Sequence, residues 1–277
     1  MKKIIFNADN FGENHDTNRA VLNGCNSGFL RSASLVATGE AYDAAVNEIL
    51  PECPLLSVGV CLNIVKGFPI TECSSLVDEN KKFYKGLFFA IKGLVKDKQV
   101  LKDVEEEFRA QIEKVKSQVK ITHITSVQKI HLIPEIFELV CKLASEYGIP
   151  YIITGKEKFY FCADIRKIIN PRFFMNLIRF IIFNLYSDSD IKILKSFGLK
   201  TNDYSIGTLY SNMLDKKLLE EILEDYSQED VLADIQISPC SYLRDINNSH
   251  SRDFKLTQDK ILEDNINRMG FDISNYK

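Results

Sequence analysis

Short apolar segments rich in β-branched residues alternate along this chain with longer segments in which apolar residues recur every three or four positions. The short kind is typical of strands buried on both faces, and the longer kind is typical of amphipathic helices. Strands are therefore predicted over residues 4–8, 34–37, 57–62, 121–127, 149–154 and 232–237.

Helices are predicted between these strands and after the last of them. The clearest covers residues 100–119, where Val104, Phe108 and Ile112 lie on one stripe and charged residues lie on the other faces. The others cover residues 16–27, 42–50, 134–148, 171–198, 215–226 and 257–269, the last two with predicted N-caps at Asp215 and Thr257. Residues 66–93 are predicted to form a long loop with short helices.

The alternation of strands and helices indicates the fold class. It favours parallel strands joined by right-handed crossovers, and the simplest such arrangement is an α/β domain with a barrel-like sheet. No repeat and no linker rich in proline, glycine or serine divides the chain, so residues 1–277 are predicted to form a single domain.

Composition and charge narrow the class of protein. A formal net charge of -3 gives no electrostatic reason to expect binding to nucleic acid or to an anionic membrane. The most apolar segment, residues 173–186, is interrupted by Asn176, Arg179 and Asn184, so a helix packed on the body is expected there. The seven cysteines are odd in number and lack Cys-x-x-Cys spacing, which favours a reducing cytoplasmic location without disulfides.

Polar or reactive residues follow several of the predicted strands. They are Asp9 and Asn10 after the first strand, Cys61 and Asn63 after the third, Thr125 to Lys129 after the fourth, and Ser238 to Cys240 after the last. Because the carboxyl ends of parallel strands meet at one rim of a barrel, we expect a binding or catalytic site among these residues.

The same segments resemble the YdjC/ChbG-type carbohydrate deacetylases, which are relatives of the NodB-like polysaccharide deacetylases. The opening Asn7-Ala8-Asp9-Asn10-Phe11-Gly12 is similar to the family's NADDFG segment, and Val58-Gly59-Val60-Cys61-Leu62-Asn63 is similar to its GVHLTL segment. Residues 121–134 are similar to its DSHxHvHxxP segment, and residues 237–240 to its cHPG segment. The resemblance covers nearly the whole chain. It implies a distorted (β/α) barrel of roughly seven strands, like those of NodB-type deacetylases and glycoside hydrolases, and hydrolysis of an N-acetyl group on a sugar.

The resemblance also implies where a divalent metal ion would bind. The three family ligands fall on Asn10, Cys61 and Val127, and the family's general base and acid fall on Asp9 and Ser238. An amide, a thiol and a valine thus stand where the family has a carboxylate and two imidazoles. Because no anionic ligand remains at these three positions, the metal site is expected to be degenerate and no cofactor is expected.

Other residues leave several chemistries open. Lys129 stands where the family has a histidine, so its ammonium could pair with Asp9, supply positive charge without an ion, or be a solvated lysine at the rim. Asp9 is a candidate base, or it caps the following helix. Cys61 is a candidate nucleophile, or it is a small apolar side chain that fills space in the core. Cys61, His15 and His131 are the only combination from which a different metal site could form. The predicted pocket residues are Asn63, Thr125 and His131.

Three functions stay open from the sequence. The leading hypothesis is a deacetylase homologue that acts on or binds N-acetylated sugars, with metal-dependent deacetylation lost or altered. The second is a non-catalytic protein that binds a glycan or a partner enzyme. The third is a metal-free hydrolase that uses Asp9 with Lys129 or Cys61. The expected ligand is a small molecule or an oligosaccharide, nucleic-acid and membrane partners are not expected, and a homodimer is left open.

Overall fold

A parallel sheet forms the centre of the molecule. The structure is a computed structural model that describes residues 2–84, 97–226, 229–241 and 248–277. Its strands are β1 (Lys3–Phe11), β2 (Ser32–Leu35), β3 (Ser57–Leu62), β4 (His123–Ser126), β5 (Tyr151–Ile152), β6 (Tyr204–Ile206), β7 (Leu232–Ile237) and β8 (Asp272–Ile273). Their order across the sheet is β5-β4-β3-β2-β1-β7-β6, and β8 pairs with the beginning of β1.

Helices surround this sheet and cover its apolar outer face. They are α1 (His15–Asn26), α2 (Lys98–Lys116), α3 (Pro134–Tyr147), α4 (Pro171–Ser196), α5 (Lys216–Tyr226), α6 (Ser249–Leu256) and α7 (Lys260–Arg268). Shorter turns lie at Tyr42–Ala44, Ala45–Ile49, Leu50–Glu52, Ser74–Leu76, Val127–Leu132 and Ile165–Ile168. Among the described residues, no helix has the length and apolar character needed to cross a membrane.

The sheet curves into a distorted barrel, which confirms the predicted fold class. His123 on β4 lies three strands from β1 in the sheet, yet its Nε2 is 3.0 Å from Oδ1 of Asn7 and 3.0 Å from Oγ of Ser34. Side chains can meet in this way only when the strands wrap around a common lumen. The backbone N–H of Ile152 donates to the carbonyl of Lys200 at 3.0 Å, so the segment leading to β6 lies against β5.

Strand alternation separates an apolar outer face from a polar lumen. Phe6 and Ala8 of β1 are buried in the main hydrophobic core, together with residues of the surrounding helices. Asn7, between them, instead accepts a hydrogen bond from Ser32 and donates to Ser34, both inside the barrel. Because these polar groups satisfy one another, their burial is compatible with a stable fold.

Residues 272–276 close the amino-terminal end of the barrel. After β8, the ring of Tyr276 packs 4.4 Å from the His123 ring and 5.2 Å from the Tyr151 ring, measured between centroids. With Ile5 and Ile153, Tyr276 forms a small apolar cluster below the polar lumen. The opposite, carboxyl end of the strands is therefore the end that is open to solvent.

Several predicted boundaries need correction. The second strand begins two residues earlier than predicted, at Ser32, and β6 was not predicted as a strand. The predicted helix 257–269 is two helices, because Thr257 is the C-cap of α6 and the side chain of Asp259 caps α7. Most of the predicted loop 66–93 is described up to residue 84, and the remainder lies outside the described residues.

Candidate functional site

Five of the predicted site residues meet around one cleft at the carboxyl ends of the strands. They are Asp9, Asn10, Val127, Lys129 and Ser238. The cleft has a volume of about 460 Å³, and its walls also include Lys66, Arg179, Phe183, Thr208, Gln236 and His250. The strand ends therefore meet at one site, as the sequence predicts.

Left-handed backbone positions bring two of these residues to the cleft. Asn10 has a φ of 65°, and Gln128 and Lys129 have φ values of 56° and 57°. Asparagine tolerates this conformation, whereas two consecutive long side chains in it store strain. The double left-handed turn directs the chain away from β4 and brings Lys129 into the wall of the cleft.

Asp9 lies at the floor of the cleft. Its Oδ1 accepts a 3.0 Å hydrogen bond from Asn7 Nδ2 and a longer one, 3.4 Å, from Thr125 Oγ1. Burial raises the pKa of Asp9 to about 7, the negative charge of Asp234 adds to this rise, and the Lys129 ammonium opposes it. Asp9 does not cap the following helix, because the Asn14 side chain does so. Both protonation states of Asp9 are therefore available near neutral pH.

The Lys129 ammonium lies among three carboxyl groups. Its Nζ donates to Thr208 Oγ1 at 2.7 Å and lies 5.8 Å from the centre of the Phe183 ring. Burial lowers the pKa of Lys129, while the charges of Glu157, Asp234 and Asp9 act in the opposite direction. Lys129 is partly buried and lines the same cleft as Asp9, whose pKa its positive charge lowers.

Glu157 is held in place by four hydrogen-bond donors. Its carboxylate accepts hydrogen bonds from the backbone N–H groups of Gly207, Thr208 and Leu209 and from the hydroxyl of Tyr160. These hydrogen bonds fix the position of the carboxylate and connect the loop of Glu157 to the segment after β6. Sequence reasoning missed Glu157, which lies in a loop without a strand-end pattern.

Asp234 and Gln236 on β7 were also missed. Asp234 is fully buried, and burial raises its pKa to about 7. Its Oδ2 accepts a 2.6 Å hydrogen bond from Tyr276, whereas its Oδ1 and the Oε1 of Gln236 have no partner among the described residues. The two residues lie four and two positions before Ser238, on the same face of β7, and this spacing could have identified them.

Asn10 and Val127 line the cleft, Cys61 does not, and the three predicted metal-ligand positions offer a weak donor set. The Asn10 amide donates to Ser238 Oγ at 3.3 Å, Val127 has no donor atom, and Cys61 is fully buried. Burial raises the pKa of the Cys61 thiol, which disfavours the thiolate that a metal or a nucleophile requires. Within the described ranges, no group of three or more His, Cys, Asp or Glu side chains could hold a metal ion.

Four other predicted residues do not line the cleft. Thr125 lies beneath it and contacts Asp9, while the Asn63 side chain binds Thr38 and the backbone of its own loop. His131 is buried, accepts from Ser126 Oγ and donates to the carbonyl of Ile153. His15 lies at the exposed start of α1. The described structure therefore does not bring His15, Cys61 and His131 together.

A histidine on α6 reaches the cleft near the position of the family's catalytic acid. The Nδ1 of His250 is 2.6 Å from the carbonyl oxygen of Ser238, and His250 lines the cleft. The backbone N–H of Ser238 donates to Asp253 at 2.9 Å, and burial raises the pKa of Asp253 to about 6. Nothing in the local sequence around His250 indicated this position, because it follows from the packing of α6 against the end of β7.

Most of the chain matches one known protein family. Residues 3–257 match the family described as YdjC-like protein. A carbohydrate deacetylase of Clostridium beijerinckii is 30% identical over 197 residues, which are 68% of this chain and 76% of that protein. A carbohydrate deacetylase of Brevibacillus brevis is 34% identical over 150 residues, and the match spans 53% of this chain and 58% of that relative's length.

The fold is similar to that of a solved structure. An Enterococcus faecalis protein, named for cellobiose-phosphate cleavage, superposes with a TM-score of 0.76 over 99% of this chain and 97% of that one. The two sequences are 18% identical, so the likeness supports the distorted barrel and says nothing about chemistry.

Proposed function

Because this chain belongs to the YdjC-like protein family, we propose that its cleft binds N-acetylated sugars and that the family's metal-dependent deacetylation is lost or altered in it. The observation that carries the proposal is that Asp9 and Lys129 line one cleft, while the positions of the family's metal ligands hold an amide, a thiol and a valine.

A sugar suits the lining of this cleft. Asn10, Gln236 and Ser238 present amide and hydroxyl groups, which can donate to and accept from sugar hydroxyls. Phe183 adds an aromatic surface for the apolar face of a sugar ring. The Oε1 of Gln236, which has no partner among the described residues, leaves an acceptor for a ligand donor. The names of the two relatives, both carbohydrate deacetylases, support the same ligand class.

The residues present do not fit the divalent ion that the family would use. A hard divalent cation is bound by oxygen ligands with negative charge, and a catalytic zinc ion by imidazoles and carboxylates. Val127 can bind neither, Cys61 is held as a neutral thiol, and the Asn10 amide is hydrogen-bonded to Ser238. Lys129 further opposes the binding of a second positive charge beside Asp9.

A second candidate is metal-free hydrolysis, which the presence of Asp9 and Lys129 in one cleft favours. In this mechanism, the Asp9 carboxylate takes a proton from water as the water oxygen bonds to the acetyl carbon. The Lys129 ammonium stabilises the negative charge that develops on the acetyl oxygen. The bond from carbon to nitrogen then breaks, the proton on Asp9 passes to the leaving amine, and acetate and the free amino sugar are released.

Calorimetric titration of the purified protein with N-acetylglucosamine oligosaccharides tests the proposal, with glucose oligosaccharides of equal length as the ligand control. We expect binding of the acetylated series, no stoichiometric metal by elemental analysis, and no chelator-sensitive release of acetate. Lys129→Met is expected to change binding, whereas the exposed Lys120→Met is the matched control.

The outcomes separate the candidates. Acetate release that persists in chelator and disappears in Asp9→Asn would establish the metal-free hydrolase. Stoichiometric zinc, nickel, cobalt or magnesium together with chelator-sensitive acetate release would overturn the claim of a changed metal site. Absence of binding to any acetylated sugar would overturn the ligand class.

A further inference from the structure

Helix α4 turns a row of large apolar side chains towards solvent. Phe174, Ile178, Ile181 and Leu185 expose 60%, 50%, 55% and 72% of their surfaces. They are separated by four, three and four positions, so they lie along one side of the helix, called here the α4 face (Phe174, Ile178, Ile181 and Leu185). An amphipathic helix normally turns such a row towards the core of its own domain. The opposite orientation indicates a partner outside the domain.

The exposed apolar surface extends beyond the α4 face. Ten of the fifteen large apolar side chains that are exposed in the described part of the chain lie within residues 159–186. Phe159 connects those that precede α4 to the helix, because its ring centre lies 5.0 Å from that of Phe161 and 6.0 Å from that of Phe180. The ten side chains expose on the order of 1,000 Å², whereas the largest apolar patch on a typical monomer covers roughly 300–600 Å². A surface of this size indicates an interaction site.

The same segment is basic, although the chain as a whole is acidic. Residues 156–200 contain nine lysines and arginines and four aspartates and glutamates, a formal charge of +5, whereas the whole chain carries -3. The net charge of the chain therefore conceals a local excess of positive charge. Apolar and aromatic side chains accompanied by lysines and arginines are typical of a surface that lies in the interface of an anionic membrane.

Several of these positive charges are available to lipid headgroups. Four of the nine basic side chains are ion-paired with acidic ones within the domain, namely Lys156, Lys158, Arg166 and Lys167. Arg172, Lys192 and Lys195 are exposed and have no ion pair with any described residue. Lys192 follows Leu185 by seven positions, which is close to two helical turns, so it lies on the same side of the helix as the α4 face.

We propose that the α4 face binds the surface of a bilayer that contains anionic phospholipids. Its four apolar side chains insert at the boundary between headgroups and acyl chains, and the lysines and arginines around it contact the headgroup phosphates. A second copy of the chain fits this surface less well, because it would bring together two segments that each carry a formal charge of +5.

Membrane binding through the α4 face would also place the cleft near the bilayer. Arg179 and Phe183 belong to α4 and line the cleft, while the α4 face lies on the outward side of the same helix. The cleft would therefore lie about one helix diameter, ~10 Å, from the lipid surface. This inference rests on the exposed surface and its charge, and it does not depend on the proposed sugar ligand.

Co-sedimentation of the full chain with lipid vesicles tests the proposal. We expect binding to vesicles of equal parts phosphatidylglycerol and phosphatidylcholine, and binding at least ~10-fold weaker to phosphatidylcholine alone. Ile181→Glu should weaken binding to the anionic vesicles at least ~10-fold, and Lys192→Met about fivefold. Ile261→Glu and Lys120→Met are the matched controls, because Ile261 is 65% exposed on α7 and Lys120 is exposed outside residues 156–200. A wild-type protein that does not bind the anionic vesicles, or unchanged binding in Ile181→Glu, would overturn the proposal.

A fluorescent reporter keeps the test decisive if Ile181→Glu fails to fold. The chain contains no tryptophan, so Leu185→Trp introduces a single one on the α4 face, and Ile261→Trp is its control. We expect the emission of Leu185→Trp to be that of an exposed indole in solution, to shift to the blue on anionic vesicles and to be quenched by brominated lipids. Ile261→Trp should show none of these changes.

Emission of Leu185→Trp that is already blue-shifted without vesicles would identify a different occupant of the α4 face. A shift that depends on protein concentration would identify a second copy of the chain, and a shift that does not would identify another segment of the same chain. Either result would overturn the proposal.

Discussion

The hydroxyl of Tyr276 donates a 2.6 Å hydrogen bond to Oδ2 of Asp234 inside the barrel. Both side chains are buried, and the other oxygen of Asp234 has no partner among the described residues. The negative charge of Asp234 is also close enough to Asp9 to raise the Asp9 pKa. The segment after β8 therefore influences a residue at the opposite, open end of the barrel.

Tyr276→Phe is expected to destabilise the protein by about 1–3 kcal/mol at pH 8, because a buried carboxylate loses its donor. The pKa of Asp234 is about 7, and the hydrogen bond from Tyr276 lowers it, so the bond favours the ionised form. The loss should therefore be smaller at pH 5, where Asp234 is protonated. Urea denaturation at both pH values measures this, with the exposed Tyr84→Phe as the control; an equal loss at both would contradict it.

Asp190→Asn is expected to stabilise the protein above pH 7. Asp190 is 3% exposed, and burial raises its pKa from the ordinary 3.8 to about 7. The folded state therefore keeps a proton that the unfolded state has lost, so stability falls as the pH rises from about 4 to about 7. The variant should gain on the order of 2 kcal/mol at pH 8 and almost nothing at pH 4. Thermal denaturation at both pH values measures the gain, with the exposed Asp188→Asn as the matched control; an equal effect of Asp190→Asn at pH 4 and pH 8 would contradict the prediction.

Lys129→Met is expected to raise the pKa of Asp9 above its value of about 7, because the ammonium lowers that pKa. The expected rise is about one pH unit, as is usual for the removal of one nearby opposite charge. Titration of the carboxyl carbons by NMR, with Asp9→Asn to assign the resonance, measures it. An unchanged Asp9 titration in Lys129→Met would show that the two charges do not interact.

Gly59→Ala is expected to disrupt the polar lumen. A Cβ at this position would lie 2.4 Å from Nε2 of His123, whose ring cannot move away without losing its bonds to Asn7 and Ser34. Overpacking of this kind typically costs about 1–3 kcal/mol. The cost, measured by thermal denaturation, should shrink when the same change is made in a His123→Ala background, since the clashing ring is then absent. A similar cost in both backgrounds would rule out this contact as the cause.

The candidate site was partly predictable from the strand ends. Asp9, Asn10, Val127, Lys129 and Ser238 follow strands whose apolar pattern is strong, and the structure brings them to one cleft. The alternation of polar and apolar positions on β7 could also have indicated Asp234 and Gln236. Glu157 and His250 could not be found in this way, because each reaches the site from a loop or helix that the sheet does not position directly.

His131, which was predicted to lie in the pocket, shows the same limit of prediction from strand ends. Its spacing after β4 predicted a position at the rim of the barrel. The left-handed residues Gln128 and Lys129 redirect the chain, however, and His131 is buried against Ser126 and Ile153. A turn of this kind costs energy locally and is stabilised only by the surrounding contacts. Residue preferences alone therefore did not indicate it.

The sequence by itself determined the succession of strands and helices, the parallel barrel and the family, because hydrophobic periodicity and segment order are properties of the chain. Only the tertiary structure decided that Lys129 lies among Asp9, Asp234 and Glu157, that Tyr276 closes the barrel below them, and that α4 exposes its apolar face. These features depend on the distances between charges and on which side of a helix meets the body. Both are set by how distant segments pack, and neither is encoded in local pattern.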